Sequence, residues 1–125
     1  RVAKEVQRTL HFNGFDAPIY ADIGVAGLWR LLDKIDDIRQ HKIIIAAAGM
    51  EGALFSVLAG LVSAPVIAVP TSVGYGVSAG GKVALDSALA SCSPGILTVN
   101  IDNGFGAANV AIKIMKQFDV IKEKS

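Results

Sequence analysis

Three groups of residues in this chain have types and spacings that could do chemistry. The first is Glu51, in the run Ala48-Gly49-Met50-Glu51-Gly52, the only charge between Lys42 and Lys82. A carboxylate in so apolar a setting has a partner or a task. It could serve as general acid or base, or orient a substrate group. Its plainer role is a first-turn carboxylate that favours the helix dipole. The second is Cys92, the single cysteine, followed by Ser93-Pro94-Gly95. A lone cysteine is often a small buried hydrophobe. The negative end of a preceding helix opposes thiolate formation, so a reactive Cys92 needs another source of activation, such as a cationic substrate. The third is a pair of loops, Pro70-Thr71-Ser72-Val73-Gly74-Tyr75-Gly76 and Asn100-Ile101-Asp102-Asn103-Gly104-Phe105-Gly106. The former offers backbone N–H groups and hydroxyls suited to phosphate or carboxylate. In the latter, Asp102 and Asn103 could bind ribose hydroxyls or a metal-bound water, or simply serve a turn and a helix cap. His11 and His41 fall at the wrong ends of their elements and read as surface residues. No metal-ligand spacing is present.

These groups need elements to hold them. Residues 1–11 repeat Val2, Val6 and Leu10 at helical spacing, and Asn13-Gly14 is a stop. Residues 17–23 read as a strand and 24–40 as an amphipathic helix bearing Leu28, Leu31, Leu32, Ile35 and Ile38 on one side. Residues 43–48 read as a strand, 52–62 as a helix and 65–69 as a strand with prolines at its ends. Residues 82–91 read as a helix, 96–100 as a strand and 106–118 as the final helix. This alternation predicts an α/β fold, a flavodoxin-like three-layer sandwich with a parallel sheet. The pattern opens in mid-helix, so a first strand, central in that strand order, is missing from it. All three chemical groups then fall in connections of the sheet. Glu51 and the two loops leave the carboxyl ends of strands, where α/β sheets bind ligands, and are expected to share one cleft.

Composition narrows the classes. The 125 residues are 52% hydrophobic and 18% charged, with a net charge of +1. They make one domain with strands buried on both faces. Lys and Arg are scattered rather than clustered, which argues against nucleic acid. The charge-free run over 52–81 contains Pro65, Pro70 and several glycines, and reads as buried helix plus strand rather than a membrane span. One cysteine leaves no internal disulfide, and a reducing, cytoplasmic location is expected. The polar, charged start gives no sign of a signal peptide. The helix over 52–62 is apolar nearly all round, so a homo-oligomer is expected.

Taken together, several strings resemble the carboxyl-terminal domain of the LarB family. They are Gly24-Val25-Ala26-Gly27, Ala48-Gly49-Met50-Glu51-Gly52-Ala53-Leu54, Val66-Ile67-Ala68-Val69-Pro70-Thr71-Ser72-Val73-Gly74-Tyr75-Gly76, Ser91-Cys92 and Val99-Asn100-Ile101-Asp102-Asn103-Gly104-Phe105-Gly106-Ala107. That family is similar in fold to PurE, the aminoimidazole ribonucleotide carboxylase/mutase of purine synthesis. The resemblance implies carboxylation of the pyridinium ring of nicotinic acid adenine dinucleotide, with phosphoanhydride hydrolysis, on the way to the nickel-pincer nucleotide. It implies Cys92 and Glu51 as catalytic. It implies Arg30, Gly49, Met50, Ser72, Gly74, Tyr75, Gly76, Asn100, Asp102, Asn103 and Gly104 as substrate-binding, with no metal ligand. Carbon dioxide or bicarbonate would be co-substrate, no cofactor would be tightly held, and Mg2+ could accompany the substrate phosphates. An octamer is implied as the assembly. The chain departs from the family pattern at Phe55, where proline is usual, and at Leu28-Trp29-Arg30, where Ile-His-Arg is usual. A histidine in the comparable loop serves PurE chemistry, so Trp29 weighs against the purine reaction. Two other readings are a PurE-like carboxylase or mutase and a silent nucleotide-binding or oligomerisation module.

Overall fold

In a computed structural model, residues 1–21, 28–49, 53–72 and 81–124 are described. Their elements run α1 (Val2–Phe12), α2 (Leu28–Ile38), β1 (Ile44–Ala48), α3 (Ala53–Leu61), β2 (Val66–Pro70), α4 (Lys82–Leu89), β3 (Ile96–Thr98) and α5 (Gly104–Lys124). The three strands form one parallel sheet in the order β1-β2-β3. Ile44 lies opposite Val66, and Val66 opposite Ile96.

Alternation along β2 sorts the core into two layers, because successive side chains point to opposite faces. Val66 and Ala68 join Leu31, Ile35, Phe55, Leu58 and Ala84, so α2, α3 and α4 cover one face. Ile67 and Val69 join Val6, Leu10, Ala107, Ala108 and Ala111, so α1 and α5 cover the other. Every residue of β2 is buried. Phe55 is also fully buried. A continuous apolar strand is what a parallel sheet covered on both faces requires. This is the expected three-layer α/β sandwich of flavodoxin-like, PurE-like type.

Several boundaries differ from the sequence reading, and among the smaller differences α4 ends at Leu89 rather than 91 and β3 at Thr98 rather than 100. Residues 15–21 belong to no helix or strand, while 22 and 23 lie outside the described residues. A strand forms only beside a neighbour that completes its ladder, and a groove separates this segment from β1. The helix over 24–40 is described from Leu28 and ends at Ile38. The final helix starts at Gly104 rather than 106 and continues to Lys124, because Asn103 caps it: its side-chain oxygen accepts the Gly106 N–H at 2.9 Å. That is a side-chain N-cap three residues ahead of its donor. No described helix is long and apolar enough to cross a membrane.

Candidate functional site

Backbone bonds gather the carboxyl ends of the strands. The Thr71 N–H donates to the Ala48 carbonyl at 3.0 Å, and the Asp102 N–H to the Pro70 carbonyl at 2.8 Å. The Ser72 N–H then donates to Asp102 Oδ1 at 2.9 Å. Gly81, at the amino end of α4, closes the rim. Its φ is +81°, and a Cβ there would lie 2.8 Å from both the Thr71 carbonyl oxygen and the Ile101 side chain. Only glycine fits such a left-handed, crowded position.

Asp102 itself has φ 60°, a conformation that aspartate tolerates better than most residues. The Ser72 hydroxyl and backbone N–H hold its carboxyl below the ordinary range, with Arg1 adding a smaller electrostatic pull. Hydrogen bonds to the charged form favour it. This rim therefore carries a fixed anion whose partners belong to the fold.

The neighbouring polar residues are similarly occupied. Asn100 Oδ1 accepts the Ile101 N–H at 2.8 Å, and Asn103 caps α5. Gly104 is buried because α1 crosses close by, and a Cβ there would lie 2.9 Å from Glu5 Oε1 and 3.1 Å from the Val2 carbonyl oxygen. Glu5 in turn accepts the Phe105 N–H at 3.1 Å, placing a negative charge at the positive end of α5. Sequence reasoning missed this role of Glu5, which lies 100 residues from its partner.

Of the sequence-predicted site, Gly49, Ser72, Asn100, Asp102, Asn103 and Gly104 lie at or beside this rim. Arg30 stands in the first turn of α2, whose amino end faces the same side because each helix returns antiparallel to the strands. Its guanidinium lies 5.0 Å from the Trp29 ring centre, a cation–π distance. Glu51, Met50, Gly74, Tyr75 and Gly76 lie outside the described residues.

Cys92 occupies a different place. It follows α4 in the connection that enters the amino end of β3, and no hydrogen bond or ion pair among the described residues joins it to Ser72 or Asp102. Its thiol is free and exposed, not the buried hydrophobe a lone cysteine often is. The residues around it are tied down. Ser91 Oγ lies 2.6 Å from Ser56 Oγ, the Ser93 hydroxyl donates to the Ser56 carbonyl at 3.0 Å, and the Ser93 N–H donates to Ser91 Oγ at 3.2 Å. The connection is thus fastened to the fourth residue of α3, five residues beyond Glu51. Nothing in the sequence marks Ser56 and Ser91 as partners, since 35 positions separate them.

Residues 13–124 match the AIR carboxylase family. The chain belongs to that family. An uncharacterized protein of Methanocaldococcus jannaschii is 47% identical over 119 residues, which cover 91% of this chain and 45% of that protein. The chain thus spans about half the length of its relative. Family membership gives a carboxylase or mutase type of domain, and two features bear on its chemistry. The rim offers a fixed carboxylate and glycine-flanked backbone, and the α4–β3 connection offers a positioned thiol. The described residues hold no cluster of three or more His, Cys, Asp or Glu side chains able to bind a metal. His11 pairs with Asp16 at the surface, and His41 lies half-buried, 3.4 Å from the Tyr20 hydroxyl.

Proposed function

We propose that this domain carboxylates the pyridinium ring of nicotinic acid adenine dinucleotide and belongs to nickel-pincer nucleotide synthesis. The observation that carries the reading is the exposed Cys92 thiol on a turn fastened to α3 by Ser56, Ser91 and Ser93. A pyridinium ring is electron-poor and does not attack carbon dioxide. Addition of the Cys92 thiolate gives a neutral dihydropyridine with a nucleophilic carbon. That carbon bonds to carbon dioxide, a proton leaves it, and the ring expels the thiolate to regain its aromatic cation. The substrate's positive charge favours the thiolate. Glu51 assists the carboxylation and proton-transfer steps. Gly49, Met50, Ser72, Gly74, Tyr75 and Gly76 receive the phosphates, with Asn100, Asp102, Asn103, Gly104 and Arg30 binding the rest of the nucleotide. Carbon dioxide or bicarbonate is co-substrate, Mg2+ accompanies the phosphates, and no metal is resident.

A homo-oligomer, an octamer by resemblance, completes the proposal. Along α3 the large residues Leu54, Phe55 and Leu58 face the core, leaving exposed Ala53 and Gly60 as a small-residue strip that admits close approach of another copy. Light scattering checks this, and a monomer of 13.0 kDa would refute it.

The experiment that tests the substrate is a thermal-shift comparison of nicotinic acid adenine dinucleotide with aminoimidazole ribonucleotide. A rise in melting temperature with the dinucleotide alone supports the reading. A rise with the ribonucleotide alone assigns a PurE-like carboxylase or mutase, which Trp29 disfavours. No rise with either assigns a silent module.

A further inference from the structure

We propose that Trp29 is the adenine platform of the site, so that a dinucleotide is held by a ring at each end. The inference rests on the pyridinium reading above. Exposure of the indole is its first support. Leu31, Ile35 and Ile38 carry the packing of α2, while Trp29 is 68% exposed. The Arg30 guanidinium lies over the ring, 5.0 Å from its centre, a contact that steadies the indole without burying it. A large, steadied aromatic face is what a base stacks on.

The height of Trp29 is the second support. Just past α2, the Arg39 Nε–H donates to the Leu61 carbonyl at the carboxyl end of α3, at 2.8 Å. The chain then enters β1 at Ile44. The carboxyl end of α2 therefore stands at the amino end of the sheet. Its 11 residues carry the first turn back by about 16 Å, roughly the length of β1. Side chains of a helix tilt toward its amino end, so Trp29 stands level with the strand-end rim.

The flanks are the third support. In the order β1-β2-β3, α2 lies by β1, where Leu31 and Ile38 line one groove with Ile45 and Ala47. Cys92 lies at the other flank, in the connection that enters β3. Ser91 ties that connection to Ser56, about 4.5 Å along α3 from Ala53 and so near the rim. The outer strands are about 10 Å apart. Gly49 after β1 and Ser72 after β2, given to the phosphates, fall between the flanks. A mononucleotide has one ring and reaches one flank; a dinucleotide reaches both. Charge sets the direction. Asp102 stands on the β3 side and Arg30 on the β1 side, so the positive ring nitrogen is drawn to the former and the uncharged adenine is left to the latter.

Trp29 is the single tryptophan, so indole emission reports this ring alone. The protein is titrated with nicotinic acid adenine dinucleotide, ADP and nicotinic acid mononucleotide, excited beyond the adenine absorption, with a free tryptophan amide as the collisional control. The dinucleotide and ADP should quench, and the mononucleotide should not. By calorimetry, Trp29→Ala should weaken ADP and the dinucleotide by roughly 10-fold, and Trp29→Phe, which keeps an aromatic face, by less. Mononucleotide affinity should be equal in all three proteins. The exposed position lets both variants fold, which urea midpoints check. Quenching by ADP in a protein that never carboxylates the dinucleotide supports the platform and sinks only the reaction. Carboxylation with unchanged emission and wild-type affinity in Trp29→Ala overturns the platform and leaves the reaction. Quenching by the mononucleotide and not by ADP puts the pyridinium on the indole and overturns the assignment, as does quenching by no ligand. Dissociation of an assembly by Trp29→Ala with ADP affinity kept marks a contact between copies and overturns it too.

Discussion

The strand-end rim and the Cys92 turn use polar residues in opposite ways. At the rim, Asp102 accepts the backbone N–H of Ser72, Asn100 and Asn103 accept N–H groups within three residues of themselves, and the glycines there admit close backbone. The polar atoms hold the fold in shape. At the Cys92 turn the serines are likewise bonded inward, but the thiol between them is exposed and has no partner among the described residues. A reactive group is recognisable by that contrast, a free side chain held on fully satisfied supports. The rim should therefore respond to substitution through stability, and the turn through activity.

The comparison breaks most severely at Gly81. Gly81→Val forces a β-branched residue into a left-handed conformation against the Thr71 carbonyl oxygen, and should cost about 2–4 kcal/mol, read as a lower urea midpoint. Asp102→Ala comes next. It removes the acceptor of the Ser72 N–H and a residue that tolerates positive φ, costing about 1–2 kcal/mol, whereas Asp102→Asn retains both features and should cost less. Because the Ser72 hydrogen bonds hold its folded pKa below that of a free aspartate, the Asp102 contribution is fully present above the ordinary carboxylate range. It is lost as pH falls through the depressed folded value. Urea midpoints followed downward from pH 6 should converge for wild type and Asp102→Asn only below pH 4. Ser56→Ala is smaller, about 1 kcal/mol, because Ser91 Oγ keeps the Ser93 N–H. Its larger effect should be a lower carboxylation rate as the thiol loses its position.

Much of this organisation was legible in the sequence, for reasons that differ by element. The continuous apolar run of residues 66–69 and the 3.6-residue spacing of Leu31, Ile35 and Ile38 disclosed buried strand and covering helix directly. The strand expected at residues 17–23 failed over its described part because pairing depends on a neighbour, which apolar patterning does not report. Leu28 and Leu32 read as core by period but are 41% and 50% exposed, since α2 turns only its Leu31–Ile35–Ile38 stripe inward. In the candidate site, loop chemistry marked Ser72 and Asp102, but the bond between them spans 30 positions. The serine anchors of Cys92 span more. Such long-range partners leave no periodicity to read. The roles of Glu51, Met50, Gly74, Tyr75 and Gly76 rest on residues outside the described ones.

Cys92→Ala tests the central claim most directly, because it should have the smallest effect on stability and the largest on turnover. The thiol is free and exposed, and no hydrogen bond or ion pair joins it to another described residue, so the urea midpoint should stay within about 0.5 kcal/mol of wild type. Carboxylation of nicotinic acid adenine dinucleotide should fall to background, and the dihydropyridine absorbance formed on mixing the protein with the dinucleotide should disappear. A Cys92→Ala protein that folds as wild type and retains full carboxylation would contradict the account, because no covalent step through this thiol could then be required.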